Sequence, residues 1–237
     1  MPVALSNAGS DLLSQLCRPM LLGHRGAKNY APENTIESFE VALQHGCDGF
    51  EFDVRLTADQ QAVICHDPKF KRIEIAQADR TSLPQLPTFE TVLQRFADRA
   101  FLDIELKVLE LERIMLELID RYKPSRGYVI TSFLPEVLQR LHALSSSLPL
   151  GLICGNRRQL EPALSLPLAC IVLHKSLASR EAMSNFHDRG IPVFVFGANR
   201  PRRMQSIVDR GADALIVDDT RLAFETFRGR AQAAGNP

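Results

Sequence analysis

The chain lacks the features that mark several common classes of protein. Its 237 residues carry 28 basic and 28 acidic side chains, so it has no charge excess of the kind that binds a nucleic-acid backbone. Its five cysteines are scattered and form no C-x-x-C pair, which argues against a zinc ribbon or a disulfide framework. We therefore expect buried, reduced thiols and no nucleic-acid partner.

Signals for export, membrane insertion and nucleotide binding are also missing. No apolar run is long enough to span a bilayer, and Asp11 and Gln15 interrupt the segment where a signal peptide would have its apolar core. Neither G-x-G-x-x-G after the first strand nor G-x-x-x-x-G-K-[ST] is present. We predict a cytoplasmic protein without stable membrane insertion. We also predict one domain over residues 1–237, with a catalytic core over about 19–228.

What the sequence does contain is a regular alternation of short apolar runs and amphipathic stretches. The eight main strand candidates are residues 20–23, 49–56, 101–108, 127–132, 150–154, 169–173, 192–196 and 214–217. This alternation predicts a parallel sheet, and eight units favour a closed (β/α)8 TIM barrel over an open doubly wound sheet. A short extra strand over residues 61–65 and an irregular stretch over 67–87 form a short inserted segment after the second strand.

The first helix is predicted over residues 34–45. Asn34 is the expected N-cap, and Glu37, three residues on, completes a capping box. Gly46 ends the helix, as a glycine at this position usually does.

Two predicted strands carry charges where a barrel strand should be apolar. Residues two apart share a face, so if the apolar side chains pack on the helices, the charged ones point into the barrel. The inward set comprises Glu51, Asp53 and Arg55 in the second strand, and Asp103, Glu105 and Lys107 in the third. Buried carboxylates repel one another unless a positive charge lies among them. A divalent cation fits this need, and interior ion pairs to Arg55 and Lys107 are the alternative.

Two histidines follow strands at the end of the barrel where active sites lie. His24 follows the first strand and His66 follows the short extra strand. Histidines 45, 142 and 187 lie in helical stretches and have no expected chemical role, and His174 is left open. Two imidazoles beside an acidic cluster suit acid–base cleavage of a phosphodiester, with Arg25 and Lys107 holding the anionic oxygens.

Five short motifs resemble those of the glycerophosphodiester phosphodiesterase family in order and spacing. They are His24-Arg25-Gly26-Ala27, Ala31-Pro32-Glu33-Asn34-Thr35, Glu51-Phe52-Asp53-Val54, His66-Asp67 and Glu105-Leu106-Lys107. Weaker likeness extends through residues 196–199 to Asp218, so it covers nearly the whole chain.

The resemblance implies a barrel enzyme that hydrolyses glycerophosphodiesters to sn-glycerol 3-phosphate and an alcohol. Carried over by position, His24 and His66 would be acid and base, and Glu51, Asp53 and Glu105 would bind one Mg²⁺ or Ca²⁺ ion. Arg25 and Lys107 would contact phosphate, and Phe196 would line the substrate site. The segment after His66 is short for the family, and Asp103 stands where the family commonly has Asn.

Three alternatives stay open at this stage. A related barrel phospholipase would cut lysophospholipids, and a non-catalytic barrel would only bind a phosphate ester. An aldolase would use Lys107 as a Schiff-base amine, although the acidic neighbours of Lys107 argue against it.

Overall fold

The computed structural model describes residues 19–229. The predictions made for the N-terminal segment and for Cys17 lie outside the described residues. The strands, in chain order, are β1 (Met20–His24), β2 (Gly49–Leu56), β3 (Ala62–Ile64), β4 (Lys69–Phe70), β5 (Ile73–Glu74), β6 (Phe101–Leu106), β7 (Tyr128–Ser132), β8 (Leu150–Cys154), β9 (Cys170–His174), β10 (Val193–Phe196) and β11 (Ala214–Val217).

The helices alternate with the barrel strands. They are α1 (Ile36–Gln44), α2 (Phe89–Phe96), α3 (Glu112–Tyr122), α4 (Pro135–Leu144), α5 (Arg180–His187), α6 (Pro201–Val208) and α7 (Thr220–Phe227). A 3-10 helix over Arg157–Leu164 takes the place of an α-helix between β8 and β9. It contains Pro162, which has no backbone N–H to donate. No helix within residues 19–229 is long and apolar enough to cross a membrane.

Eight parallel strands close into a barrel within the described part of the chain. The strand order is β1-β11-β10-β9-β8-β7-β6-β2, and a further pairing of β1 with β2 closes the ring. Strand β3 pairs antiparallel with β2 outside this ring, with Val54 opposite Ile64. The prediction of a (β/α)8 barrel with one extra strand after the second is confirmed.

The apolar residues form an outer and an inner layer, as the alternation in β2 and β6 predicts. The outer layer lies between strands and helices, where Phe39 of α1 stacks on Phe50 of β2 with ring centroids 4.2 Å apart. The inner layer fills the barrel interior and includes Met20, Leu22 and Phe194. The charged residues of β2 and β6 face this interior near the carboxyl ends of the strands, so the inner layer forms an apolar floor beneath them.

The N-cap of helix α1 lies one residue later than predicted. Thr35, not Asn34, is the N-cap, and its partner in the capping box is Ser38. Asn34 has a φ of 58°, and its side-chain amide donates to Asp53 Oδ2 at 2.8 Å. The capping prediction was wrong because a contact 19 residues away in sequence holds the Asn34 side chain.

The segment over residues 67–87 is more regular than predicted. It contains the two-stranded β4–β5 hairpin and 3-10 turns over Ile75–Gln77 and Arg80–Ser82. A small apolar cluster anchors it, since Ile75, Leu83 and Leu86 are buried with Val63 of β3. The segment is short, but it is packed against the barrel.

Candidate functional site

Three carboxylates meet inside the barrel near the carboxyl ends of β2 and β6. Glu51, Asp53 and Glu105 are 4%, 0% and 7% exposed, and one oxygen from each lies within 4.8 Å of the others. Asp53 is directly opposite Glu105 in the parallel register of the two strands. Strand pairing therefore brings together residues 52 positions apart, and we call Glu51, Asp53 and Glu105 the acidic triad.

The acidic triad carries more negative charge than its neighbours neutralise. Burial, followed by repulsion from Asp53, raises the pKa of Glu51 well above its ordinary value. The same two causes raise the pKa of Glu105 to about 7. Burial also acts to raise the pKa of Asp53, but the Lys107 ammonium and the Asn34 hydrogen bond outweigh it and hold that pKa below the ordinary value. A group of this kind binds protons or a cation.

Unsatisfied oxygens show that the triad fits a divalent metal ion. Glu51 Oε1 and Asp53 Oδ1 are buried and have no hydrogen-bond partner among the described residues. The Lys107 ammonium is 3.3 Å from Asp53 Oδ1, an electrostatic contact without hydrogen-bond geometry. Buried carboxylate oxygens without donors are costly, and hard cations such as Mg²⁺ and Ca²⁺ prefer oxygen ligands. The triad could therefore hold such an ion.

His24, at the end of β1, is held by a carboxylate that follows β11. Its Nδ1 lies 2.6 Å from Asp218 Oδ1, and because a carboxylate only accepts, Nδ1 carries the proton. Its Nε2 lies 3.9 Å from Glu51 Oε2 and so faces the acidic triad. Burial is the main cause that lowers the pKa of His24, which keeps the ring neutral near pH 7.

Asp218 is itself fixed by further contacts. The Lys28 ammonium lies 2.8 Å from Asp218 Oδ1, and the Asn199 side-chain amide donates to Oδ2. Burial acts to raise the pKa of Asp218, but the bonds from His24 and Lys28 prevail and lower it to about 2. The carboxylate therefore stays ionised over the physiological range and orients the His24 ring.

His66 has a similar but more exposed partner. Its Nδ1 lies 2.7 Å from Asp67 Oδ1, and the Asp67 side chain is 75% exposed. Arg55 donates from Nε and Nη2 to the backbone carbonyl of His66, at 2.9 and 2.6 Å. Arg55 thus positions the His66 backbone. Arg55 forms no ion pair with the acidic triad. Of the two cations in the ion-pair alternative, only Lys107 pairs with the carboxylates.

The two candidate phosphate contacts already have anionic partners. Lys107 Nζ lies 2.6 Å from Glu105 Oε1. Burial acts to lower the pKa of Lys107, but Glu105 and Asp53 outweigh it and raise the pKa, which argues against a neutral Schiff-base amine. Arg25 Nη1 donates to both carboxylate oxygens of Glu33, at 2.9 and 3.0 Å, and Arg25 Nε lies 3.5 Å from Asp53 Oδ2. The backbone N–H of Arg25 donates to Glu51.

These groups surround one pocket at the carboxyl end of the barrel. Its lining residues are His24, Arg25, Glu51, His66, Asp103, Glu105, Phe133, Ile153, Val172, Phe196 and Ile216. Polar groups lie on the side of β1, β2 and β6, and apolar ones lie on the floor and on the opposite wall. Phe196, predicted as a substrate contact, lies edge-on to Phe133 in that wall with ring centroids 6.4 Å apart. His174 lies behind Phe196 and does not line this pocket.

Asp103 has a partner that sequence reasoning missed. Thr131 of β7 donates from its hydroxyl to Asp103 Oδ1 at 2.7 Å. Burial still raises the pKa of Asp103 to about 7. Sequence reasoning also missed the contacts that fix the other polar groups of the site. These contacts form only in the folded barrel and involve Thr131, Asp218, Lys28 and Asn34. The one available signal was that Asp218 directly follows the last strand, as His24 follows the first.

The fold and the pocket together define a class of protein. It is a closed β/α barrel in which a buried acidic triad that could hold a cation lies beside two imidazoles, at the carboxyl ends of the strands. The model of the glycerophosphoryl diester phosphodiesterase family matches residues 24–222. The chain belongs to this family, which confirms the resemblance read from the sequence motifs.

Several relatives match over nearly their whole length. A glycerophosphodiester phosphodiesterase of Caldanaerobacter subterraneus is 28% identical over 242 residues, which cover 89% of this chain and 98% of that protein. A glycerophosphodiester phosphodiesterase of Bacillus subtilis is 29% identical over 273 residues, which cover 96% of this chain and 92% of that protein. Among solved structures, a Thermotoga maritima glycerophosphodiester phosphodiesterase has a TM-score of 0.79 at 24% identity, covering 89% of this chain and 99% of that one.

A further structure is that of an Oleispira antarctica phosphodiesterase in complex with the product sn-glycerol-3-phosphate. It has a TM-score of 0.79 at 24% identity and covers 90% of this chain and 97% of that one. Both structural likenesses support the barrel fold.

Proposed function

We propose that the protein hydrolyses glycerophosphodiesters to sn-glycerol 3-phosphate and an alcohol. The observation that carries this proposal is the common pocket, in which two histidines flank a buried acidic triad. The identity of the family and the bound product in the Oleispira structure support the same substrate class. Lysophospholipids share the diester and differ by an acyl chain, and the assay below includes them.

The acidic triad of Glu51, Asp53 and Glu105 would hold one Mg²⁺ or Ca²⁺ ion. When bound, the ion would neutralise phosphate charge and polarise a phosphoryl oxygen. Lys107 and Arg25 would then hold the remaining anionic oxygens by charge-assisted hydrogen bonds. Because both side chains are already held by carboxylates, their positions are preorganised before substrate arrives.

His24 and His66 would carry the protons. One imidazole removes a proton from the attacking oxygen, that of a water or of the free glycerol hydroxyl, as this oxygen bonds to phosphorus. The other protonates the alcohol oxygen as the second phosphorus–oxygen bond breaks. Attack by the glycerol hydroxyl gives a cyclic phosphate, which water then opens to glycerol 3-phosphate. Asp218 would keep the proton of His24 on Nδ1, so that Nε2 faces the reacting atoms. The apolar floor and the Phe133–Phe196 wall would limit access of water from that side.

A coupled assay for glycerol 3-phosphate release tests this proposal. We expect turnover of glycerophosphocholine or glycerophosphoethanolamine that EDTA abolishes and Mg²⁺ or Ca²⁺ restores. E51Q should lose at least about 100-fold in kcat/KM, because it removes one anionic ligand of the ion. E136Q is the matched control, since within residues 19–229 the sole ion pair of Glu136 is with Arg140 on the α4 surface. Activity that ignores EDTA would refute the metal assignment. Choline release from lysophosphatidylcholine, with no glycerol 3-phosphate released from either glycerophosphodiester, would refute the substrate.

The proposal also covers the setting of the reaction. We expect a cytoplasmic enzyme of lipid-derived glycerol metabolism, in keeping with four described cysteines that are all buried and unpaired. Fractionation with an antibody to the protein tests this expectation, and recovery from a secreted fraction would contradict it.

A further inference from the structure

The β4–β5 hairpin carries a pair of cations in an unfavourable backbone conformation. Lys71 and Arg72 form its two-residue turn, with φ of 46° and 77°. Both central residues of such a turn need positive φ, so Asn-Gly is the usual pair. A residue with a β-carbon is sterically disfavoured at each of these positions. The sequence of this turn is therefore not the one that local stability favours.

The hairpin stands beside the mouth of the pocket and is firmly anchored. It begins three residues after His66, whose ring lines the pocket. Ile75 follows the hairpin, is 1% exposed, and donates its backbone N–H to the Pro68 carbonyl at 3.0 Å. Lys71 and Arg72 are exposed at the tip, and Ile73 beside them is 38% exposed. A rigid base thus presents two cations and an apolar side chain to solvent.

Unpaired cations also lie across the pocket from the hairpin. Arg157 and Arg158 follow β8, while Arg200 and Arg203 lie at the start of α6, after β10. All four are exposed, and no ion pair within residues 19–229 involves them or the hairpin-tip cations. Because these segments follow the carboxyl ends of barrel strands, they share the face that opens the pocket. We call this the pocket face.

The acidic residues of the pocket face are mostly neutralised by close partners. Glu33 pairs with Arg25, Glu74 with Lys69, and Asp218 with Lys28. Asp67 and Asp219 accept hydrogen bonds, from His66 and from the Tyr30 hydroxyl at 2.6 Å, but neither partner is a lysine or an arginine that would cancel their charge. The chain has no net charge. The positive charge around the mouth of the pocket comes from the cations that lack an ion pair, not from the net charge of the chain. This local charge favours an anionic partner.

Exposed apolar side chains accompany these cations. Three of the five large apolar side chains exposed within residues 19–229 lie on the pocket face, namely Tyr30, Ile73 and Leu134. Binding of a soluble anion would require only the cations and would leave the exposed apolar side chains without a role. A flat surface with apolar groups among basic ones suits the boundary between headgroups and acyl chains of an anionic bilayer.

We propose that the pocket face docks on the surface of a phospholipid bilayer with net negative charge, with the β4–β5 hairpin as its main contact. Lys71 and Arg72 bind headgroup phosphates, and Ile73 enters the boundary with the acyl chains. The pocket then opens toward the lipid, without any segment crossing it. This docking does not depend on the proposed hydrolysis, because it can be measured without substrate.

Co-sedimentation with vesicles tests the docking. We expect binding to phosphatidylcholine vesicles that contain phosphatidylglycerol, weak binding to pure phosphatidylcholine, and loss of binding at high salt. The hairpin variant is K71N/R72G, which removes both charges and supplies the residues that the turn prefers. Each basic residue near such a surface contributes about fivefold, so the variant should bind roughly 30-fold more weakly. Its melting temperature should not fall, because the turn is relaxed.

The control removes the same charge from the opposite face of the barrel. K123Q/R126Q changes two exposed cations between α3 and β7, and Lys123 also has a positive φ of 45°. We expect this variant to bind vesicles like the unmodified protein. The proposal is overturned if the unmodified protein ignores anionic vesicles, if K71N/R72G binds them fully, or if the control loses as much binding as the hairpin variant.

Discussion

Replacing Asp218 by asparagine tests whether a carboxylate outside the acidic triad controls the chemistry of His24. In the folded protein Asp218 accepts the Nδ1 proton of His24 at 2.6 Å. Lys28 Nζ also lies 2.9 Å from this nitrogen, but Asp218 forms an ion pair with Lys28 and accepts its hydrogen bond. Without the carboxylate, Lys28 would donate to Nδ1 and move the imidazole proton to Nε2. The ring would then present the wrong tautomer to the pocket.

The expected loss follows from the share of the rate that one proton-transfer group supplies. General acid–base catalysis contributes roughly 10²–10⁴-fold, so D218N should lower kcat about 10³-fold, with KM changed by less than about threefold. The measurement is glycerol 3-phosphate release at saturating substrate. Metal affinity, measured by terbium luminescence, should stay unchanged, because the triad does not include Asp218.

D67N is the matched comparison. Asp67 lies at nearly the same distance from His66 Nδ1, 2.7 Å, but its side chain is 75% exposed against 23% for Asp218. Water can replace an exposed acceptor, so D67N should lower kcat by less than about tenfold. The reasoning is refuted if D67N loses as much as D218N, or if D218N keeps kcat within tenfold of the unmodified protein.

The same carboxylate should leave a mark on acid stability. Its pKa in the folded state is depressed from 3.8 to about 2, so its stabilising effect is complete above about pH 4 and is lost as the pH falls toward 2. The full shift corresponds to roughly 2 kcal/mol, which partial exposure reduces to about 1 kcal/mol. Urea unfolding should show that the stability difference between D218N and the unmodified protein shrinks over this range. A constant difference would contradict the assignment.

Two further changes test the acidic triad and the loop that follows β1. E51Q should raise the unfolding free energy of the metal-free protein by about 1–3 kcal/mol at neutral pH, because it removes a buried carboxylate whose pKa is raised, yet it should abolish stabilisation by added Ca²⁺. Melting temperatures measured in EDTA and in Ca²⁺ test both effects. Equal stabilisation of E51Q and the unmodified protein by Ca²⁺ would count against the metal site. G26A should cost about 3 kcal/mol, because Gly26 has a φ of 80° and a β-carbon there would overlap the Ser38 side chain. Urea denaturation measures the cost, and a change below about 1 kcal/mol would show that the loop relaxes.

The apparent excess of acid in the barrel has a simple physical basis. A protein without a cation would gain from exchanging Glu51 for an apolar residue, since Glu51 Oε1 has no hydrogen-bond partner within the described chain. Lys107 compensates only the side of the cluster near Glu105 and Asp53. Arg25 lies 3.5 Å from Asp53 Oδ2 but is shared with Glu33. A bound divalent ion would supply the charge that Lys107 and Arg25 leave uncompensated.

The sequence by itself determined the barrel and the acidic triad. Strand alternation is a local property, so the two-residue period of β2 and β6 places Glu51, Asp53 and Glu105 inside before any tertiary contact is known. The eightfold repeat of strand and helix then places His24 at the carboxyl end of the barrel. His66 follows the antiparallel strand β3, which lies outside the repeat, so only the structure shows that it lines the pocket. The five motifs predicted the glycerophosphodiester phosphodiesterase family, and the family match confirms this prediction.

Only the tertiary structure decided which groups hold these residues in place. Asp218 lies 194 positions from His24, and Thr131 lies 28 positions from Asp103. Closure of the barrel, where β1 pairs with β11, creates the first contact. A third contact of this kind, from the Asn34 side chain to Asp53, prevents Asn34 from acting as the predicted helix cap. Local patterns fix which face a side chain occupies, whereas its partner depends on which strands become neighbours, and long-range packing alone decides that.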